Sequence, residues 1–104
     1  MDAPETYASG NWVVAAGREN EFVASWTEFL DWTKNNAPGF VSASLIHDVA
    51  DPRHFVSFAL WSSPAARSAW QQHEGFASRV GACRAMCDEA SGSSYHLAAR
   101  VEQS

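Results

Sequence analysis

The chain has 104 residues, of which 46% are hydrophobic, with five Trp and six Phe. This length and composition predict one folded domain with a core that needs no metal or disulfide, and they argue against disorder. The net charge of -5, with only seven scattered Lys and Arg, argues against nucleic acid and anionic membranes as partners, because both require clustered cations.

No targeting or membrane segment is expected. The first residues, 1–5, are acidic and lack the basic and apolar regions of a signal peptide. No apolar run approaches the roughly 18 residues that a membrane helix needs. We therefore expect a cytoplasmic protein with a single domain over residues 1–104 and a core at about 7–101.

The first half of the chain predicts a strand, a helix and a hairpin. Residues 7–16 end in strand-forming residues and are followed by Gly17. A helix is predicted next, with Trp32 at the edge of its buried face. One apolar stripe of this helix consists of Phe22, Trp26, Phe29, Leu30 and Thr33. Residues 40–48 and 54–61 then predict two strands joined by turn residues at 51–53.

The second half predicts helices and a final strand. Ser63 followed by Pro64 is typical of a helix N-cap and its first residue. We expect a short helix, a kink at 73–75 and a longer helix that continues toward Ala90. Cys83 and Cys87 would then lie on one helix face as reduced core thiols. The Ser-Gly-Ser-Ser run at 91–94 would end this helix, and 95–101 would form the last strand.

The order of these elements is β-α-β-β-α-β, which predicts a ferredoxin-like α+β fold with an antiparallel sheet. In such a fold the helices cover one face of the sheet. Both faces of the predicted strands carry apolar residues. We therefore expect a homodimer in which two sheets pair face to face and each subunit keeps an internal cavity.

Short motifs along the chain resemble one known family. They are Asn11-Trp12-Val13-Val14, the segment 17–22, Pro38-Gly39-Phe40, the segment 55–58, Trp61-Ser62-Ser63-Pro64, Trp70 and Phe76. In this order they resemble the antibiotic biosynthesis monooxygenase family of the dimeric α/β barrel superfamily. The resemblance runs from about residue 7 to residue 101 and is carried mostly by structural positions.

The resemblance implies a homodimer and a reaction without cofactor. In relatives that oxidise aromatic polyketides, neither metal nor flavin is used, and the anion of the substrate itself reduces oxygen. Trp61 stands where those enzymes carry a functional Trp. Ser57 stands in place of their Asn, and Arg67 stands in place of their Tyr.

Haem-degrading relatives imply a second set of residues. Asn11 lies one residue from the position of their Asn, and Trp70 matches their Trp. Val80 stands where they have the His ligand. Because Val cannot ligate iron through its side chain, we do not expect haem degradation by that route.

The residues themselves suggest candidates for a site that binds a small aromatic molecule. Trp61 and Trp70 each offer an apolar ring face and one N–H donor, although both would also suit a core. Further candidates to contact a ligand are Trp26, Phe29, Phe76, Arg67 and Ser57. Arg67 and Arg100 are cations that would hold a substrate anion or remain solvated.

Trp61 and two polar residues, Asn11 and His73, are the candidates for catalysis. Asn11 lies on an otherwise apolar strand, where it would bind a ligand, bond to backbone or face solvent. His73, beside the predicted kink, is a candidate general base for a phenolic proton, with a surface histidine as the alternative. Asp48 and His47 point to opposite faces and form no dyad, and no spacing typical of a metal site is present.

Three functions remain open at the level of sequence. The first is a cofactor-independent monooxygenase that acts on a phenolic or polyketide-like aromatic compound. The second is a non-catalytic dimeric module that binds small molecules or has a structural role. The third is a lactone isomerase or similar enzyme, which would require a paired acid and base in the pocket.

Overall fold

The computed structural model describes residues 5–103. Residues 1–4, which belong to the N-terminal segment where no signal peptide is expected, lie outside the described residues. The elements are β1 (Thr6–Val14), α1 (Glu19–Asn36), β2 (Phe40–His47), β3 (His54–Trp61), α2 (Pro64–Gln72), α3 (Phe76–Arg84) and β4 (Cys87–His96). Within the described range, no helix has the length and apolar character to cross a membrane.

The four strands form one antiparallel sheet in the order β2-β3-β1-β4. The central strand β1 pairs with β3 on one side, where Trp12 lies opposite Phe55, and with β4 on the other, where Gly10 lies opposite Gly92. With the helices packed on one face, this arrangement confirms the predicted ferredoxin-like α+β fold.

Helix α1 packs on the sheet through the apolar stripe that its sequence predicts. Glu19 and Glu21 lie in its first turn, where acidic side chains interact favourably with the helix dipole. The buried residues of α1 are Phe22, Trp26, Phe29, Leu30 and Thr33. Gly39, with a φ of 90°, makes the sharp turn into β2 that residues with a side chain rarely adopt.

The start of α2 follows the predicted capping pattern. The Ser63 side chain accepts a hydrogen bond of 3.1 Å from the backbone N–H of Ala66, and Pro64 is the first helical residue. The predicted break at 73–75 is also present, because α2 ends at Gln72 and α3 begins at Phe76.

The last helix and the last strand are present, but their predicted bounds were wrong. Helix α3 ends at Arg84, and β4 already spans Cys87–His96, so the helix does not continue to Ala90 and no strand runs over 95–101. The small residues at 91–94 suggested a turn, but they pair with residues of β1 along the sheet edge. Hydrogen bonds from a neighbouring strand, which local sequence does not reveal, outweighed the weak strand propensity of Ser and Gly.

This change also separates the two cysteines. Cys83 lies wholly buried on α3, whereas Cys87 is half-buried on β4. Their thiols therefore do not share a helix face. Burial raises the pKa of each thiol, so both stay protonated and unreactive near neutral pH.

The face of the sheet away from the helices carries exposed apolar side chains. They are Ile46, Phe58 and Tyr95. We call this surface the open face, and the opposite surface the covered face. The core lies on the covered face, where Val14, Phe22 and Trp61 are fully buried.

Candidate functional site

A cavity of about 220 Å³ lies between the covered face and the three helices. Its floor consists of small residues from the three strands β1, β3 and β4. They are Ala8, Gly10, Ser57, Ala59, Ala90, Gly92 and Ser94. Gly92 on β4 leaves room that a side chain would fill, whereas the space above Gly10, opposite it on β1, is occupied by the side chains of Trp12 and Ser57. The cavity opens at β4, because the residues of this edge strand remain largely exposed.

The roof of the cavity is aromatic. Trp26 and Phe29 come from α1, Trp70 from α2 and Phe76 from α3. Phe29 stacks on Trp70 with ring centroids 5.6 Å apart and an interplanar angle of 13°. Phe76 meets the Trp70 ring edge-on at 4.8 Å. These contacts join all three helices into one roof, whose flat apolar surfaces suit an aromatic ring.

The N–H group of Trp70 is bonded within the protein. Its Nε1 donates to Thr33 Oγ1 at 2.9 Å, and Thr33 Oγ1 donates to the carbonyl oxygen of Phe29 at 2.9 Å. Trp70 therefore presents its ring to the cavity, whereas its donor is used to fix the ring against α1.

A second indole–hydroxyl pair lies in the floor. Trp12 Nε1 donates to Ser57 Oγ at 3.0 Å. Both residues line the cavity, and they are 6% and 7% exposed. A buried serine hydroxyl is thus held at the centre of the covered face, within reach of any ligand bound there.

Arg84 supplies the only charge among the described residues that line the cavity. It is the last residue of α3, where a cation interacts favourably with the helix dipole. It forms no hydrogen bond or ion pair with any residue in the range 5–103. The guanidinium at the mouth is therefore available to an anionic ligand.

No acid–base pair is present among the cavity-lining residues that the structure describes. The lining contains no Asp, Glu, His, Lys, Tyr or Cys. A reaction that requires a protein carboxylate or imidazole in contact with substrate lacks its group here. This removes the motivation for a lactone isomerase, which depends on such a pair.

The structure brings five of the predicted site residues together at the cavity. They are Trp26, Phe29, Ser57, Trp70 and Phe76. Trp61 does not line it, although its ring packs on Trp70 with centroids 4.8 Å apart. Its Nε1 is buried and forms no hydrogen bond within the described residues. Arg67 also lies outside the lining and donates to Gln71 Oε1 at 2.9 Å.

None of the three candidates for catalysis lines the cavity, since Asn11 and His73 lie outside the lining as Trp61 does. His73 ends α2, where its Nδ1 accepts a hydrogen bond of 3.0 Å from the backbone N–H of Gly75, and its ring packs edge-on against Trp32. Asn11 is exposed on the open face, so the sheet separates it from the cavity. The cation Arg100 pairs with Glu5 near the chain terminus, also away from the cavity.

Asn11 belongs to a polar chain that sequence reasoning missed. Its Oδ1 lies 2.7 Å from His54 Nε2, and His54 Nδ1 lies 2.9 Å from Asp48 Oδ2. The hydrogen bond from His54 holds the pKa of Asp48 below its usual value. The partner of Asp48 is therefore His54, six residues along the hairpin, and not its neighbour His47.

Trp12 and Arg84 are the main cavity residues that sequence reasoning did not select. Trp12 shares the strand face of Gly10, so alternation along β1 would have placed it in the floor. Arg84 follows Phe76 and Val80 at intervals of four residues, which puts all three on one helix face. Because the helix was predicted to continue toward Ala90, Arg84 was not recognised as its last residue. No group of three or more potential metal ligands occurs within residues 5–103.

Fold and cavity together define a small ferredoxin-like protein with an aromatic-lined cavity under its helices. The family model for antibiotic biosynthesis monooxygenase matches residues 8–80, which is well over half of the chain. The chain therefore belongs to the antibiotic biosynthesis monooxygenase family.

Solved structures share the whole fold. A point mutant of SnoaB, a cofactor-independent oxygenase from Streptomyces nogalater, aligns with a TM-score of 0.88 and 20% identity over 97% of this chain and 100% of that one. A second SnoaB structure aligns with a TM-score of 0.79 and 22% identity over 96% of this chain and 97% of that one. A conserved protein from Methanosarcina mazei Go1 aligns with a TM-score of 0.78 and 12% identity over 88% of this chain and 91% of that one. At these identities the likeness shows the fold. No curated protein matches the sequence significantly.

Proposed function

We propose that this protein is a cofactor-independent monooxygenase that oxidises a small aromatic molecule in the cavity under its helices. The observation that carries the proposal is the lining itself, whose described residues combine aromatic side chains with one cation and include no acid–base pair. Such a site suits a substrate that ionises readily by itself. Membership of the monooxygenase family and the fold shared with SnoaB support the same reaction class.

The proposed reaction requires few groups from the protein. An anthrone, for example, loses a proton from its ring CH₂ carbon to solvent water, which returns a proton to the peroxide oxygen later in the reaction. The resulting anion, whose charge is shared with the ring oxygen, transfers electrons to O₂. A C–O bond forms at that carbon, the remaining C–H and the O–O bond break, and one oxygen atom leaves as water. The product is a quinone. The electrons come from the substrate, so the protein supplies position, shielding from water and stabilisation of the anion.

Each group in the cavity has a defined part in this proposal. Arg84 stabilises the substrate oxyanion at the mouth, because a guanidinium stays charged at every relevant pH. The rings of Trp26, Phe29, Trp70 and Phe76 hold the substrate and exclude water. Trp61 acts as a positioning residue that supports the Trp70 ring from outside the cavity. Asn11 and His73 have no part in the proposed reaction.

The cavity volume restricts the substrate. About 220 Å³ is less than the roughly 300–1,000 Å³ typical of sites for drug-sized ligands. We therefore propose a compound of one to three rings that carries an acidic hydroxyl or an activated CH₂ group.

A second copy of the chain is the proposed occupant of the open face. Phe58 lies on the inner strand β3, with Ile46 on the edge strand β2 and Tyr95 on the edge strand β4, and all three are more than one-third exposed. A sheet face with this much exposed apolar area is unfavourable in water. A two-fold related copy buries the same residues on both sides, which is the commonest solution among soluble oligomers.

The direct test is oxygen consumption with dithranol, a three-ring anthrone with two phenolic groups. We expect turnover above the spontaneous rate, with formation of the corresponding quinone. Arg84→Gln should lower kcat/KM by about tenfold or more, because it removes the only charge in the described cavity lining. Arg18→Gln is the matched control, since Arg18 is an exposed arginine paired with Glu21. Unchanged kinetics in Arg84→Gln would contradict the proposed role of this residue.

A binding module without catalysis is the second candidate. It is favoured by Ser57 and Arg67, which stand where the oxidising relatives carry Asn and Tyr, and by the position of Arg67 outside the cavity lining. This candidate predicts quenching of Trp fluorescence by dithranol without quinone formation. Turnover of any anthrone or hydroquinone above background would exclude it.

A further inference from the structure

The covered face contains two buried indole–hydroxyl pairs that differ in one respect. In the first, Trp70 donates to Thr33, and the Thr33 hydroxyl donates in turn to the carbonyl of Phe29. In the second, Trp12 donates to Ser57, and the Ser57 hydroxyl forms no further bond with any described residue. Among residues 5–103, only the first pair has partners for both of its hydrogens.

The direction of the Trp12–Ser57 hydrogen bond is fixed by chemistry. An indole N–H can only donate, so Ser57 Oγ must be the acceptor. The hydrogen of the Ser57 hydroxyl is therefore not used in this bond. Ser57 is 7% exposed and lines the cavity. Because buried donors are nearly always bonded, this O–H is expected to find its acceptor in a ligand.

The backbone is adapted to this hydrogen bond at Gly10. This residue pairs with Ser57 across the β1–β3 ladder. A Cβ atom at position 10 would lie 2.6 Å from Trp12 Nε1 and 2.7 Å from Ser57 Oγ. The bond thus crosses the space directly above Gly10, and any side chain there would displace it. Packing of the Trp12 ring on Phe22, with centroids 5.3 Å apart, fixes the donor further.

We propose that Trp12 is a positioning residue whose N–H holds the Ser57 hydroxyl so that its O–H donates to a ring oxygen of the bound aromatic molecule. This inference rests on the cavity being the site of the proposed function, and it narrows the ligand class. A ring with a carbonyl or phenolate oxygen gains a hydrogen bond that a pure hydrocarbon lacks. In the proposed oxidation the same donor stabilises the negative charge that develops on that oxygen.

Binding of two matched probes tests the specificity. The probes are 1-tetralone, a two-ring ketone, and tetralin, the same ring system without oxygen, both titrated by calorimetry. Ser57→Ala should weaken 1-tetralone about fivefold to tenfold, the effect of one hydrogen bond, and change tetralin less than twofold. Trp12→Phe should weaken 1-tetralone about threefold, because the freed hydroxyl can turn toward a backbone carbonyl. Failure of 1-tetralone to bind would overturn the proposal.

Infrared spectroscopy of carbonyl-labelled 1-tetralone gives a readout that a merely structural role would not change. In the unaltered protein the carbonyl band should shift to lower frequency. Ser57→Ala should abolish the shift, and Trp12→Phe should reduce and broaden it. Thr33→Val, which breaks the other pair, should lower stability and leave the band in place. An unchanged band in Ser57→Ala or in Trp12→Phe overturns the proposal.

Two features keep the test decisive. Ser57→Ala removes a single atom, so it tests the hydroxyl even if Trp12→Phe fails to fold. Oxygen consumption with dithranol is measured separately. Turnover with an unshifted band would reject the positioning role and leave the oxygenase standing, whereas a shifted band without turnover would reject the oxygenase and retain the role of Trp12 in ligand binding.

Discussion

Alternate residues of the same strands build two very different surfaces. On β1, Gly10 and Trp12 face the helices and form part of the cavity floor, whereas Asn11 faces away and joins His54 and Asp48. At the cavity, large rings from the helices lie opposite small strand residues of the covered face. The open face carries exposed apolar residues and a polar chain at one end. A cavity forms only where large and small side chains oppose each other, since equal filling would close it.

The largest expected effect on stability concerns the aromatic roof above the covered face. Trp70→Ala should lower the free energy of unfolding by about 3–5 kcal/mol, because Trp70 is 7% exposed and packs against rings from α1, α3 and β3. Denaturant titration measures this change. Phe58→Ala on the open face is the matched control and should cost less than about 1.5 kcal/mol in the isolated chain. Equal losses would contradict the distinction between the faces.

A glycine in the cavity floor gives the next largest effect. Gly10→Ala should destabilise the protein by about 1–3 kcal/mol, because the added methyl group collides with the Trp12–Ser57 pair. Gly81→Ala is a control of opposite sign. This glycine lies inside α3 with nothing within 4 Å of the added atom, so a gain of about 0.5–1 kcal/mol is expected. Thermal unfolding of both variants measures the difference. A neutral Gly10→Ala would show that the floor is not tightly packed.

The open face predicts an effect on assembly. Phe58→Asp should raise the dissociation constant of the proposed dimer at least tenfold, because it places a charge within the buried surface. Sedimentation velocity at several concentrations measures this. Val49→Asp, in the exposed turn after β2, should leave assembly unchanged. A monomer in the unaltered protein at micromolar concentration would remove the second copy from the open face.

The smallest effect is the pH dependence of the polar chain on the open face. His54 lowers the pKa of Asp48 in the folded state, so this carboxylate contributes stability above its unfolded pKa of about 3.9. The contribution is lost as pH falls through the lower folded pKa. The difference in unfolding free energy between the unaltered protein and Asp48→Asn should therefore be present at pH 6 and vanish toward pH 3.

Glu28→Gln is the reference for this measurement. Glu28 is exposed on α1 and has no hydrogen bond or ion pair with the described residues. Its substitution removes one exposed carboxylate without breaking a hydrogen bond or ion pair, so it controls for the change in net charge. A difference at Asp48 that grows on acidification would contradict the assigned direction, since a lowered carboxyl pKa can only lose stability there.

The sequence by itself determined the order of the first elements, the ferredoxin-like fold and the buried stripe of α1. Phe22, Trp26 and Phe29 repeat at the helical period, and Ser63 with Pro64 marks a helix start, so local pattern was enough. It also placed apolar residues on both faces of the sheet, and short motifs indicated the family.

Only the tertiary structure decided where β4 begins and which residues meet at the cavity. In the sequence, Gly92 suggests a turn, but in the structure it pairs with Gly10 on the neighbouring strand. Ser57 has no evident partner until the neighbouring strand brings Trp12 within 3.0 Å. These two contacts join residues 82 and 45 positions apart, and no local propensity encodes them.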